Sequence, residues 1–212
     1  MLLLAFDTAT PAISVAVHDG SSVVAEATGE GAMAHGELLA PAIRTALQRA
    51  GATPSDLTDV AVGVGPGPFT GLRVGVVTAL SLGQTLGLTT HGVCSLDILA
   101  AEAAADFDDE FIVATDARRK EVYWGRFTPD GVRVTGPDVD HPETVAALGM
   151  PVVGRGGTLY ADRFATVHDG PLDPSAAALA RLVAGGTAVE LPLEPLYLRR
   201  PDATPQVATK RA

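Results

Sequence analysis

Residues 60–80 read VAVGVGPGPFTGLRVGVVTAL and combine three local patterns in a fixed order. The apolar run that opens the stretch predicts a buried strand. Gly65-Pro66-Gly67-Pro68 ends that strand, because its prolines remove backbone donors and its glycines permit positive φ. Thr70 stands where a helix N-cap is expected. Helical spacing then follows at Leu72, Val76, Val77 and Leu80. The order strand, glycine-rich turn, helix directs free backbone N–H groups to one point.

The glycine-rich turn has three interpretations: a phosphate cradle, a rigid support for a partner, and a plain connection between strand and helix. It does not match G-x-x-x-x-G-K-[ST], because residues 1–119 contain no lysine. It does not match G-x-G-x-x-G either, because Gly65, Gly67 and Gly71 are spaced two and four apart. Spacing alone therefore disfavours phosphate binding.

The composition indicates a globular cytoplasmic protein. The chain has 212 residues, 47% of them hydrophobic, which suffices for one domain or two small ones. Its apolar runs are shorter than the roughly 20 residues that span a bilayer, and no signal peptide is recognisable at the start. Cys94 is the only cysteine, so no internal disulfide can form, as suits a reducing compartment. The net charge of −10 and the lack of a basic face predict only indirect contact with nucleic acid.

The chain divides into two units at the acidic stretch 105–110, so we predict domains at residues 1–104 and 105–200, followed by a flexible tail at 201–212. The first unit opens with three strands, and the turn after its first strand carries Asp7, Thr8 and Thr10. This opening resembles that of the actin/hexokinase/Hsp70 superfamily, which implies contact of the turn with nucleotide phosphate and metal. The alternative is ordinary turn hydrogen bonding, which we favour.

Signatures of catalysis and metal binding are absent from the sequence. It contains no G-x-S-x-G, C-x-x-C or H-E-x-x-H. His35 lies on a predicted helix, but the position four residues later is Leu39, so no histidine pair can share a metal there. A second acidic phosphate loop is missing, and Arg155 interrupts the only candidate for an adenosine-binding glycine run. We predict no catalytic and no metal-binding residue.

As a whole string, GPGPFTGLRVG (65–75) resembles the GPGSFTGLRIG signature of the TsaB (YeaZ) family, with Pro68 in place of serine. Four further segments resemble the family: DTAT (7–10), HGELLAP (35–41), DARRKEVYW (116–124) and PLYLRR (195–200). The resemblance spans essentially the whole chain. It implies an α/β fold of two actin-like (ASKHA, ribonuclease H-like) subdomains, each a mixed sheet with helices, the second one reduced.

The resemblance also implies a function. A TsaB protein is a non-catalytic partner subunit in threonylcarbamoyl transfer to N6 of the adenosine beside the anticodon in ANN-decoding tRNAs. It would bind and stabilise the catalytic paralogue TsaD, help to recruit TsaE, form a homodimer when alone, and meet tRNA only through the complex. No tightly bound cofactor is expected, and ATP or ADP at the complex interface stays open. The alternatives are an active glycoprotease-type metallopeptidase or ATPase, and a self-associating structural homodimer.

The partner contact of the family maps onto the helices predicted at residues 38–50 and 70–86. The residues implied at this interface are His35, Leu38, Leu39, Ile43, Leu47, Phe69, Leu72, Arg73, Val76, Val77 and Leu80. A vestigial nucleotide site would consist of Asp7, Thr8, Thr10, Gly65 and Gly67. The helices carry more apolar surface than one sheet face requires, so Ile43→Asp or Val76→Asp is expected to weaken partner binding and leave the protein soluble. The alternative is that all of this surface is core.

Overall fold

The computed structural model describes residues 1–30 and 35–199. The elements are β1 (Leu3–Asp7), β2 (Ala12–His18), β3 (Val23–Glu30), α1 (His35–Arg49), β4 (Asp59–Gly63), α2 (Phe69–Leu86), β5 (Thr89–Val93), α3 (Ser95–Ala103), β6 (Phe111–Asp116), β7 (Val122–Phe127), β8 (Arg133–Asp140), α4 (Pro142–Ala146), β9 (Val152–Val153), α5 (Arg155–Leu159), α6 (Ala176–Ala184) and β10 (Glu190–Leu191). Over these described ranges, no helix combines the length and the apolar character that a membrane crossing requires.

The strands form two mixed sheets with the same internal order. In the first, β10-β5-β4-β1-β2-β3, the meander β1–β2–β3 is antiparallel, and β4 and β5 continue in parallel beside β1. The second, β8-β7-β6-β9, repeats the antiparallel meander and adds one parallel strand, β9. This repetition confirms the predicted α/β class with two subdomains. Among the described strands, the second sheet has no counterpart of β5, which confirms that it is the reduced copy.

Helices cover both faces of the first sheet. Strand β1 is apolar at every position except its last, so the side chains on both of its faces need apolar partners. Leu4 and Phe6 point toward α1 and α2, where they meet a cluster that includes Leu39, Leu47 and Val76. Leu3 and Ala5 point to the opposite face and pack against α6 and Ile98 of α3. Full burial of β1 on both sides explains why its sequence is a continuous apolar run rather than an alternating one.

The last described elements depart from the predicted domain division, and the tail predicted at residues 201–212 lies outside the described residues. Residues 105–200 were assigned to the second unit, yet α6 packs on β1, β2 and β3, and β10 pairs with β5 at the edge of the first sheet. The alanine- and leucine-rich face of α6 fits the close-packed surface around Leu3 and Ala5. The chain therefore builds the second sheet and then returns to the first, which ties the two subdomains together.

The start of α2 also differs from the sequence prediction. The N-cap of α2 is Pro68 and not Thr70, so Thr70 is the second residue of the helix. The N-cap of α3 is Cys94, so Ser95 is the first residue of that helix. In both cases no side chain caps the helix, and the Ser95 hydroxyl serves another purpose, described below.

Candidate functional site

The turn after β1 is held by a buried carboxylate. Asp7 Oδ1 accepts a hydrogen bond from the Ala9 N–H at 2.7 Å, and Asp7 Oδ2 accepts one from the Ser95 hydroxyl at 2.6 Å. Ser95 opens α3, so the second bond joins the turn to the far side of the sheet. Burial raises the pKa of the Asp7 carboxyl to about 6, while the hydrogen bonds from Ser95 and Ala9 oppose the rise.

The raised pKa of Asp7 sets the direction of its effect on stability. Between the ordinary value of 3.8 and about 6, the folded state keeps a proton that the unfolded chain has released. The stability contributed by the protonated carboxyl is therefore complete below pH 3.8 and is lost as the pH rises through 6.

The glycine-rich loop and α2 lie directly on this turn. A Cβ atom at Gly67 would stand 2.2 Å from the Ala9 carbonyl oxygen, and one at Gly71 would stand 2.3 Å from the Thr8 carbonyl oxygen. The Thr8 hydroxyl donates to the Gly71 carbonyl at 2.8 Å, and a Cβ at Gly75 would lie 2.4 Å from that hydroxyl oxygen. The spacing of these glycines thus serves close contact between backbone segments.

Gly65 begins the loop in a conformation that a side chain would strain, with φ of 106°. Its N–H donates to the Ser95 hydroxyl at 3.2 Å, and its carbonyl accepts from the Ser95 N–H at 2.7 Å. Ser95 therefore fastens both the Asp7 carboxylate and the loop. This cross-link between β1, the loop and α3 was not foreseen, because Ser95 looks like an ordinary helix cap in the sequence.

Nucleotide phosphate is the ligand that an actin-like fold implies for this turn, and the residues do not fit it. Both Asp7 oxygens and the Thr8 hydroxyl already have partners, and carbonyl oxygens of Thr8 and Ala9 face the loop. Phosphate would need donors where these acceptors lie. The Thr10 hydroxyl is buried without a hydrogen-bond partner, but one hydroxyl does not make a phosphate site.

The second glycine run, at residues 154–157, also makes close contacts within the chain. Arg155 Nε donates to Asp173 Oδ1 at 2.9 Å, so the residue that interrupts the run lies in an ion pair. A Cβ at Gly154 would stand 2.4 Å from the Ala114 carbonyl oxygen. Gly154 and Gly156 thus allow the run to pack against β6.

The histidines of the described chain have structural partners. The buried His35 ring bonds the Thr10 carbonyl through Nε2 at 2.8 Å, which ties the start of α1 to the polar turn. His91 lies between two carboxylates, with Nδ1 2.6 Å from Glu190 Oε1 and Nε2 3.2 Å from Asp59 Oδ1. Within residues 1–30 and 35–199, no group of three His, Cys, Asp or Glu side chains is arranged to hold a metal ion.

The residues assigned to the partner interface fall into three groups. Five are buried in the chain's own structure: His35, Leu39, Leu47, Leu72 and Val76. Three are half-buried: Leu38, Ile43 and Phe69. Three are exposed: Arg73, Val77 and Leu80.

This grouping corrects one sequence expectation. Val76 is only 2% exposed, so Val76→Asp would disrupt folding, whereas the adjacent Val77 is 59% exposed and Leu80 is 46% exposed. Both helices pack one side on the sheet, and residues on that side are unavailable to a partner. The exposed residues Arg73, Val77 and Leu80 form one stripe along α2, which we call the α2 stripe.

The segment after β10 completes the surface beside the α2 stripe. Leu196 donates its N–H to the Val64 carbonyl at 2.8 Å, which lays the segment along the glycine-rich loop. The Tyr197 ring then packs against Phe69 with centroids 4.8 Å apart, and Arg73 Nε donates to the Tyr197 hydroxyl at 2.8 Å. Farther on, Arg199 donates to the Ala117 carbonyl at 2.9 Å in the second subdomain. Tyr197 was missing from the predicted site, since no local pattern links it to a helix 124 residues earlier.

Comparison with known proteins shows to which family the chain is related. The family model described as TsaD, tRNA N6-adenosine threonylcarbamoyltransferase, matches residues 26–188. An uncharacterized Mycobacterium leprae protein is 42% identical over 211 residues, covering 98% of this chain and 57% of that protein. The Bacillus subtilis tRNA threonylcarbamoyladenosine biosynthesis protein TsaB is 34% identical over 127 residues, covering 60% of this chain and 55% of the relative. The chain thus spans a little over half the length of these two relatives.

Solved structures point to the same family and to the same fold. YeaZ from Pseudomonas aeruginosa superposes with a TM-score of 0.74 at 32% identity, covering 93% of this chain and 99% of that one. An inorganic polyphosphate/ATP-glucomannokinase from Arthrobacter superposes with a TM-score of 0.51 at 12% identity, covering 87% and 98%, which shows the fold alone. With the family model matching most of its length and YeaZ matching nearly all of it, the chain belongs to the TsaB (YeaZ) family and carries a TsaD-type domain of actin-like fold.

Proposed function

We propose that this protein is a non-catalytic subunit of the cytoplasmic system that makes threonylcarbamoyladenosine in tRNA. It would bind and stabilise TsaD, help to recruit TsaE, and so support threonylcarbamoyl transfer to N6 of the adenosine beside the anticodon in ANN-decoding tRNAs. The names of its relatives support the pathway. The match to a TsaD-type domain supports a paralogous partner.

One observation carries the proposal for a binding role. Gly67 and Gly71 pack directly against the backbone of the turn that would hold phosphate. In contrast, Val77 and Leu80 are exposed on the helix that starts beside this turn. Exposed apolar side chains aligned on one helical face are typical of a protein interface. The chain therefore offers an exposed apolar surface to bind with, while the groups at this turn that would meet a phosphate bond to each other.

Nucleotide and tRNA have indirect roles in this proposal. ATP or ADP would sit at the interface with a partner and not in the turn after β1, whose donors and acceptors pair with each other. The net charge of −10 opposes tRNA binding by this chain alone, so the other subunits would hold the tRNA. In the absence of TsaD, the same helical face would form a homodimer.

Reconstitution tests the proposal. We expect tRNA modification by TsaD and TsaE, supplied with threonylcarbamoyl-adenylate, to require this protein, and Val77→Asp or Leu80→Asp to abolish the stimulation. Val132→Asp is the matched control, because Val132 is 61% exposed on the turn between β7 and β8, away from both helices. Full modification without this protein would refute the proposal.

The alternatives give different results in the same preparation. Stoichiometric zinc or iron in the purified protein would indicate an active metallopeptidase. A homodimer that persists when TsaD is added in excess would indicate a self-associating structural protein. We expect the homodimer to give way to a heterodimer.

A further inference from the structure

The two helices of the binding face carry a charge opposite to that of the whole chain. Helix α1 has one acidic residue, Glu37, and two basic residues, Arg44 and Arg49, of which Arg49 donates to the Glu26 carbonyl of β3 and does not count toward the face. Helix α2 has one charged residue, Arg73. The face therefore has a basic surplus on a protein whose net charge is −10. Such a local reversal of sign favours an acidic partner surface.

Arg73 is the one charged residue of the α2 stripe. Residues three or four apart share a helical face, so Arg73 lies between Phe69 on one side and Val77 on the other. Its side chain is exposed, and its guanidinium carbon lies 5.7 Å from the centroid of the Tyr197 ring. A cation flanked by apolar groups becomes strongly desolvated when a partner covers it.

Tyr197 fixes the direction of the guanidinium. The bond from Arg73 Nε to the Tyr197 hydroxyl uses the inner edge of the group, and among the described residues no carboxylate lies within ion-pair distance of Arg73. The outer pair of nitrogens, Nη1 and Nη2, has the geometry that binds a carboxylate through two parallel hydrogen bonds. An arginine held in place by an aromatic residue loses less entropy on binding than a mobile one.

We propose that Arg73, oriented by Tyr197, binds a carboxylate on an apolar helical face of the partner, and that this pairing selects a different protein over a second copy of this chain. The inference rests on the proposed function, since the partner is the TsaD subunit. A second copy would bring Arg44 and Arg73 against a face with the same basic surplus, and Glu37 is the sole acid on either helix. An acidic face on TsaD would meet them with opposite charge.

Binding of TsaD to variants of the full chain tests this pairing. Arg73→Glu should weaken binding at least about tenfold and reduce the salt dependence that we expect of the wild-type complex. Arg163→Glu is the matched control, because Arg163 is half exposed in the second subdomain and the change in charge is the same. Tyr197→Phe removes the hydroxyl and keeps the ring, so it should weaken binding only when Arg73 is present. A merely structural role of Tyr197 would weaken binding equally in both backgrounds.

The outcomes separate this inference from the proposed function. If wild-type protein binds TsaD and Arg73→Glu binds within about twofold at every salt concentration, the carboxylate pairing is wrong and the partner role stands. If Arg73→Glu breaks a homodimer and leaves TsaD binding intact, a second copy is the occupant and the inference is overturned. If wild-type protein neither binds TsaD nor stimulates modification, both fail. Restoration of Arg73→Glu binding by an acid-to-lysine change on TsaD would identify the opposing carboxylate.

Discussion

Gly71→Ala tests whether the contact between α2 and the polar turn is as tight as the structure indicates. Alanine is normally the better residue in a helix, by about 1 kcal/mol over glycine. At this position, however, a Cβ would stand 2.3 Å from the Thr8 carbonyl oxygen, which belongs to the backbone and cannot rotate away. To restore an ordinary contact, α2 must retreat from the turn by about 1 Å.

The expected cost follows from these contacts. Forcing a methyl group into a close-packed region costs about 1–3 kcal/mol. The hydrogen bond from the Thr8 hydroxyl to the Gly71 carbonyl would also be strained, at a cost of about 1 kcal/mol. After the gain in helix propensity, we expect a net loss of about 1–3 kcal/mol in the free energy of unfolding. For a chain of this size, that lowers the melting temperature by roughly 3–10 °C.

Gly36→Ala is the matched control on the neighbouring helix. Among the described residues, the nearest neighbour of a Cβ at Gly36 would be Val74 Cγ2, at 4.0 Å. The same substitution should therefore raise the free energy of unfolding there by about 0.5 kcal/mol. Calorimetry and urea unfolding of both variants measure the two effects. If Gly71→Ala melts at or above the wild-type temperature, the close approach that we describe between α2 and the turn does not exist.

Three further predictions follow from other contacts. The free energy of unfolding of the wild type should fall by about 3 kcal/mol relative to Asp7→Asn as the pH rises from 3.8 to above 6, because burial disfavours the charged Asp7 carboxylate. Urea unfolding of both proteins measures this, and a difference between them that does not change with pH would contradict it. Arg133→Ala should cost about 2–4 kcal/mol, because Asp97 lies 3.0 Å from Arg133 Nε and would be left unpaired with a pKa raised by burial; the double variant with Asp97→Ala should lose less than the sum of the single losses. Val76→Asp should reduce soluble expression or unfold the protein, while Val77→Asp should shift its melting temperature by less than about 2 °C.

The sequence predicted those parts of the fold that depend on local patterns. Strands β1 to β3 and the βα unit around Gly65 have signals within a few residues of each other, namely apolar runs, turn glycines and helical spacing. The alanine- and leucine-rich sequence of α6 is typical of a helix, but nothing local in it indicates its place on the first sheet. That placement depends on the fit of its alanine face to Leu3 and Ala5, which lie about 170 residues away and share no pattern with it.

The candidate interface shows the same limit at the level of single residues. Residues 76 and 77 are both valine, and helical spacing alone does not say which of the two side chains faces the sheet. The structure separates them because Gly71 and Gly75 press one side of α2 onto the polar turn, which leaves Val77 and Arg73 on the other side. The role of Tyr197 lay beyond any sequence window, because the contact joins α2 to the segment after β10.

The close packing of the glycine-rich loop on the turn after β1 and the exposure of the α2 stripe have one physical cause. Glycines allow a backbone to approach whatever lies opposite, and in a nucleotide-binding protein that is a phosphate. Here Gly67 and Gly71 approach the carbonyl oxygens of Ala9 and Thr8, which are acceptors and would repel an anion. The same close contact fixes the rotation of α2 about its axis. A loosened turn should therefore impair the proposed partner binding as well as stability, so in a binding assay with TsaD we expect Gly71→Ala to bind more weakly than wild type, although residue 71 is buried in the chain itself.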